Sequence, residues 1–179
     1  MKNVFAWMLS ACLYFMAASV PVVAQDTPKL SDPEVASVAV TANQIDVTYA
    51  AIALEKSKNK DILNFAKTMA ADHKAIIAQA VALATKLGVT PLDNAVSQKL
   101  LADAETMKNS LQAKKGKAFD KAYIDNEVAY HKAVIGAVET LLIPETENHE
   151  LKDLLVTVLP ALKVHLEHAQ MVQKKLFSL

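Results

Sequence analysis

From Val35 onward the apolar residues recur in alternating steps of three and four: Val35, Val38, Ala42, Ile45, Tyr49 and Ile52. That spacing gathers side chains on one stripe of a helix and does not describe one face of a strand. Ahead of it, Ser31-Asp32-Pro33-Glu34 offers a capping residue, a proline at the first helical position and a glutamate three after the serine. A helix is therefore expected to begin there and to end near Ser57. A second is expected from about Asn59, on Ile62, Ala66, Met69, His73, Ile76, Ala80, Leu83 and Leu87, with Gly88 placed to close it in the left-handed conformation. After the breaker Thr90-Pro91, residues 94–113 carry a weaker stripe of Val96, Leu100, Ala104, Met107 and Leu111, which Lys114-Lys115-Gly116 interrupts.

A further long helix is predicted from about Lys117 to Leu142 on Asp120, Ile124, Glu127, His131, Val134, Val138 and Leu141. The last is predicted from about Asn148 to Phe177 on Leu151, Leu155, Val158, Leu162, His165, Ala169, Val172 and Leu176. Pro160 falls inside it and is expected to kink it, because proline cannot donate to the Val156 carbonyl. Four long seams describe an all-α, four-helix bundle, with the 94–113 helix as one extra short element in the long central connection. No repeat or second domain interrupts residues 32–179.

Composition narrows the function classes. Three glycines in 179 residues, against roughly a dozen at ordinary usage, disfavour Gly-rich phosphate loops and turn-rich β folds. Gly136, inside the fourth predicted helix, is expected to allow close approach of a neighbour. Zero formal charge and the lack of any arginine leave neither a basic field nor guanidinium forks for nucleic acid. The single cysteine, Cys12, excludes a disulfide framework and a Cys-rich metal site.

Cys12 lies in a separate opening segment. After Lys2, Val4 to Val23 run without a charge and close on Val22-Val23-Ala24, a small-residue end of the kind signal peptidase cuts. Residues 1–24 thus read as a signal peptide cleaved after Ala24, and 25–31 as a linker. Two alternatives stand beside cleavage: an uncleaved membrane anchor, since about 20 apolar residues can span a bilayer, and lipidation at Cys12, because Leu9-Ser10-Ala11-Cys12 resembles a lipoprotein box. Each sends the chain out of the cytoplasm, to the periplasm, outer membrane or cell envelope.

The informative residues are polar ones inside the apolar seams: Asp46, His73, Glu127, His131 and His165. At about 1.5 Å per residue, Asp46 stands roughly 17 Å from the turn near Ser57 and His73 roughly 20 Å from the same turn. His131 and Glu127 precede Leu142 by roughly 17 and 22 Å, and His165 follows Asn148 by about 25 Å. If neighbouring helices run antiparallel, the five share one layer of the core. Burying imidazole and carboxylate is costly unless they are paired or bound to metal. The layer therefore has two readings: a centre for a divalent transition metal (zinc, copper or iron), or a hydrogen-bonded layer, with Tyr49 and Tyr123, that only fixes helix packing in a structural or interaction module of the envelope. His168, one turn after His165, is expected on a flank, and His149 is expected exposed.

Di-iron bundles use Glu-x-x-His on two helices; the nearest match here, Glu127-x-x-x-His131, is one residue too long. No nucleophile motif is present, so no catalytic residue is assigned. The lysine clusters at 56–60 and 114–117 read as solvated helix ends, with contact to an envelope protein or membrane surface as the minority reading.

Three blocks carry a family resemblance. Asn59-Lys60-Asp61 through Ala71-Asp72-His73 resembles a "kN..v..fA..M..DH" block. Phe119-Asp120-Lys121-Ala122-Tyr123, with Val128 and His131, is similar to "FD..Y....V..H". Leu159-Pro160-Ala161-Leu162 through His165-Leu166 resembles "LP.L..HL". In this order, over about residues 33–177, they resemble a family of bacterial envelope proteins called domain of unknown function 4142, often labelled predicted outer membrane proteins. That family usually carries glutamate where Asp46 stands. The resemblance implies an exported, ferritin-like bundle and assigns no activity.

Overall fold

The computed structural model describes residues 29–178, and all regular structure among them is helical. The leader, its cleavage point and Cys12 lie outside the described residues. Helix α1 spans Asp32–Lys56, α2 Lys60–Leu87, α3 Ala95–Ala113 and α4 Gly116–Ala137. A π-helical turn, Val138–Leu142, extends α4 into the short α5, Ile143–Glu145, and α6 spans His149–Phe177.

Each boundary has a local cause. The Ser31 N–H and hydroxyl both donate to Glu34, at 2.9 and 2.6 Å. Asn59 Oδ1 accepts the N–H groups of Asp61 and Ile62, and Asn148 Oδ1 accepts that of Leu151, so two more helix starts have their free donors satisfied. Asn94 caps α3 through Val96 and Ser97 while its Nδ2 donates to the Glu34 carbonyl, which ties α3 to α1. Gly88 closes α2 at φ 64°, the left-handed conformation that favours glycine.

Helices α1, α2, α4 and α6 pack around a shared core. Contacts at their ends fix the directions. Ser57 donates to Asp120 and Lys175 to Asp61 at one end of the bundle; Asp32 accepts the Glu147 and Asn148 N–H groups at the other. Thus α2 and α4 run one way and α1 and α6 the other. Because α2 and α4 are parallel, the chain must traverse the bundle between them, and α3 makes that traverse against α1.

Two apolar clusters fill the interior. The lower contains Ile52, Phe65, Met69, Phe119, Tyr123 and Val172. The upper contains Val35, Val38, Val138, Leu142, Leu155 and Leu162. The α1 seam is buried along its whole length, from Val35 to Ile52. On α2 burial stops at His73: Ile76, Ala80, Leu83 and Leu87 are only half-buried, because they line a cavity of about 330 Å³ in the upper half.

Two details depart from the sequence reading. The π turn shifts the face of α4 by one position, so Leu142 is buried where the helical period points to Leu141. The fourth helix is therefore not a continuous α-helix to Leu142. Gly136 makes no close approach, since a Cβ placed there meets no atom within 4 Å. Helix α6 contains Pro160, where the sequence places it. None of the described helices is long and apolar enough to cross a membrane.

The Gly136 result gives a direct test. With open space around it and ordinary helical φ, Gly136→Ala relieves glycine's helix cost of about 1 kcal/mol. The melting temperature is expected to rise by roughly 2–4 °C in thermal unfolding followed by circular dichroism. An unchanged or lower value contradicts the open environment assigned to Gly136.

Candidate metal centre

The five seam residues chosen from sequence meet in the plane between the two apolar clusters. Asp46 comes from α1, His73 from α2, Glu127 and His131 from α4, and His165 from α6. Asp46 and Glu127 are 0% exposed, His131 is 1%, and His73 and His165 are each 3%. The imidazole rings form a triangle, with centroid separations of 5.1 Å (His73–His165), 5.6 Å (His73–His131) and 5.7 Å (His131–His165). His168 stands apart, half-buried with its ring edge-on to Phe65. His149 is exposed, as its place at a helix start suggests.

Each ring has one nitrogen engaged by an acceptor. His73 Nδ1 lies 2.7 Å from Asn43 Oδ1, and Asn43 Nδ2 already donates to the Ala39 carbonyl. The amide oxygen can only accept, so His73 Nδ1 carries the proton. His131 Nδ1 donates to the Glu127 carbonyl at 2.9 Å, and His165 Nε2 donates to the Asp72 carboxylate at 3.0 Å. In the neutral rings the remaining nitrogens bear lone pairs: His73 Nε2, His131 Nε2 and His165 Nδ1. These three have no hydrogen-bond partner among the described residues, and one nitrogen of each ring lies within 4.8 Å of the other two. A ring held through its far nitrogen by an oxygen acceptor is the usual way a protein presents an imidazole to a metal.

Asn43 and Asp72 are the positioning residues that the sequence reading missed. Asn43 sits three residues before Asp46 on the same face of α1, an amide inside a seam, which is a signal in retrospect. Asp72 reaches across to a histidine 93 positions away. Its partner depends on helix packing, and no local pattern reveals it.

The Asp46 carboxylate lies against two of the three rings. Its Oδ2 lies 3.5 Å from His73 Nε2 and 3.6 Å from His131 Nε2. Those separations are too long for hydrogen bonds. They match the edge of a tetrahedron whose bonds are ~2.1 Å, which is about 3.4 Å. A small pocket of about 10 Å³ lies against Asp46, His73 and His131, near the ~10–15 Å³ that admits one water-sized particle. Glu127 approaches His131 from the other side of the ring, Oε2 to Nδ1 at 3.5 Å. It also neighbours Asp46, forming with it and His131 a second cluster of possible ligands.

Burial governs the protonation of all four groups. It pushes the Asp46 carboxyl up to about 7. Burial, and then the charge of Asp46, hold Glu127 well above the carboxylate range. Burial, with the neighbouring His131 and His165, brings His73 down to about 3. Burial brings His131 down to about 4, against the opposing effect of its bond to the Glu127 carbonyl. Near neutral pH His73 and His131 are therefore uncharged, with lone pairs available.

These shifts set opposite pH dependences in the metal-free protein. The folded state keeps a proton on Asp46 that the unfolded chain releases above about pH 4, so stability from this group falls as pH rises toward 7. His73 and His131 stay neutral in the fold while the unfolded chain binds protons below about pH 6.5, so their contribution falls as pH drops. Asp46→Asn removes the first effect only. In chelator at pH 8 it should melt roughly 5 °C above wild type, the shift that about 2 kcal/mol produces in a domain of this size. At pH 4 the difference should shrink toward zero. Equal destabilisation at both pH values contradicts the unpaired state of Asp46.

The comparisons with known proteins agree with the three sequence blocks. No curated protein and no solved structure matches the chain. One family model, described as Domain of unknown function (DUF4142), matches residues 17–172, which contain all five clustered residues together with Asn43 and Asp72. The match takes in most of the sequence, and the chain belongs to the DUF4142 family.

Proposed function

We propose that this protein is an exported, ferritin-like bundle of the cell envelope that binds one divalent transition-metal ion in its core. His73 Nε2, His131 Nε2, His165 Nδ1 and Asp46 Oδ2 are the ligands. The observation that carries the reading is the convergence of three lone pairs whose rings are already oriented by Asn43, the Glu127 carbonyl and Asp72. Three imidazole nitrogens and one carboxylate oxygen form a ligand set suited to zinc, with copper and iron as competitors. Glu127 lies behind this set, beside Asp46, and tunes the charge of the centre.

Magnitudes favour this over a layer that merely fixes helix register. Seven side-chain atoms of the five residues have no hydrogen-bond partner among the described residues. The three ring nitrogens among them cost about 1–3 kcal/mol each, a large share of an ordinary domain's ~5–15 kcal/mol, whereas the carboxyls of Asp46 and Glu127, protonated by burial, can bond each other and Tyr123. A register-fixing layer would satisfy its members with one another at about 2.7–3.0 Å. A bound cation satisfies four of the seven atoms and supplies the charge that ionised Asp46 lacks.

Untagged protein titrated with zinc in a calorimeter is expected to bind one equivalent with micromolar or tighter affinity. His131→Ala should lose at least a hundredfold. Asp72→Asn, which alters only the support of His165, should lose about 10–100-fold. Failure of the wild type to bind zinc, copper(II) or iron(II) at micromolar concentration sinks the proposal. Export has its own check: mass spectrometry of protein from the native host should find a chain beginning at Gln25. A chain that keeps Met1–Ala24, or one beginning at a lipidated Cys12, would replace cleavage after Ala24 by the anchored or lipidated form.

A further inference from the structure

The upper half of the bundle holds a cavity that metal binding does not use. Its volume, about 330 Å³, falls in the range of small-molecule pockets, ~300–1,000 Å³, and is about twice an engineered apolar cavity of ~150 Å³ that stays dry and takes up benzene. Its walls come from α1, α2, α3, α4, the π turn and α6. Along α2 the lining runs from Ile76 to Leu87 and along α6 from Leu151 to Leu162. Eleven residues of helix correspond to about 17 Å, so the space is long and follows the bundle axis. The lining is overwhelmingly aliphatic, and small side chains (Ala39, Ala80 and Ala137 among them) stand where the lower half carries Phe65, Met69 and Phe119.

One polar group is left over inside this space. Asn126, on α4, is 8% exposed, lines the cavity, and its Nδ2 has no hydrogen-bond partner among the described residues. A buried amide donor with nothing to donate to is a liability unless an acceptor arrives. Tyr49, Tyr130 and Asp103 line the cavity as well. The charged groups in the lining are the carboxylates of Asp32, which accepts the Glu147 and Asn148 N–H groups, and of Asp103, which Lys99 pairs at the surface; no lysine or histidine lines the cavity itself. The lining thus offers an anionic head no cation to offset the cost of burying its charge, while an uncharged oxygen can accept from Asn126.

We infer that this cavity binds a single linear aliphatic chain bearing an uncharged oxygen head, such as a long-chain alcohol or ester. The head accepts a hydrogen bond from Asn126 Nδ2, and the tail lies along α2 and α6 past Ala80. The occupant also touches the walls of the candidate metal centre, because Asn43, Tyr130, Val134 and Leu162 line both spaces. The inference stands independently of the metal, since none of the four proposed ligands lines the large cavity.

The test displaces the neutral fluorophore N-phenyl-1-naphthylamine from the full-length protein. Dodecanol is expected to displace it saturably at one per chain, at least tenfold more effectively than dodecanoate at pH 8. Ala80→Phe, which fills the bore, should weaken fluorophore and dodecanol at least tenfold, while Ala82→Phe on the exposed face of α2 should leave both unchanged. Asn126→Leu should weaken dodecanol severalfold and leave the fluorophore near wild type. Helical circular dichroism and a cooperative thermal melt verify the fold of each variant, and Ala80→Leu replaces Ala80→Phe if the larger side chain unfolds the protein. Absence of saturable displacement overturns the inference, as does wild-type binding by the folded Ala80 variant. Equal competition by dodecanoate, or an Asn126→Leu variant that binds dodecanol like wild type, overturns the assignment of the head group. Zinc titration of the same samples separates these outcomes from any failure of the metal reading.

Discussion

The structure turns on the burial of five ionisable side chains in one plane of a helical core. Asp46, His73, Glu127, His131 and His165 sit between two apolar clusters, where solvent cannot satisfy them. Low dielectric makes each unpaired group expensive and makes each satisfied one rigid. Everything around the plane orients these groups. Asn43, the Glu127 carbonyl and Asp72 each occupy the far nitrogen of one ring. The remaining nitrogens then bear lone pairs with no hydrogen-bond partner among the described residues, and one nitrogen of each ring lies within 4.8 Å of the other two. A cation resolves that arrangement; protons resolve it only in part, since burial drives His73 and His131 toward the neutral form.

The chain path makes the plane possible. Ligands from four helices meet at one height only if the helices start and stop in register. The caps at Ser31, Asn59, Asn94 and Asn148 set those starts, and Asp32 fastens the beginning of α1 to that of α6. Because α2 and α4 are parallel, α3 must return along the bundle, and its Asn94 bond to Glu34 holds it against α1. Below the plane the core is filled by large side chains; above it the π turn of α4 and the small residues of three helices leave a long cavity. The bundle is thus divided by packing, with a tightly filled base beneath a more open upper half.

Much of this was legible in the residues alone. Alternating steps of three and four gave the helices to within a residue or two, since capping boxes and Gly88 mark their ends chemically. Counting heights along those helices placed the five ionisable residues in one layer, and the structure brings all five together. Other features depend on packing and were hidden. The period of α4 points to Leu141, but the π turn is not encoded by spacing and brings Leu142 inward. Gly136 suggested a close helix contact that does not exist, because composition shows a missing side chain and not what faces it. Asp72 meets His165 only across an interface of α2 with α6. The half-buried end of the α2 seam reads from sequence as core, yet it lines a cavity.

The central claim is that three imidazole lone pairs are held ready for one metal ion. Long-range proton–nitrogen NMR of the imidazoles tests it most directly, before and after one equivalent of zinc. In the metal-free protein near pH 8, His73 and His131 should carry their protons on Nδ1, and His165 should carry its proton on Nε2. On adding zinc, the three unprotonated nitrogens should all shift in slow exchange, while their protonated partners, His149 and His168 stay near their original positions. Rings that hold the opposite tautomers, or that ignore zinc while an exposed histidine responds, would contradict a preformed metal centre.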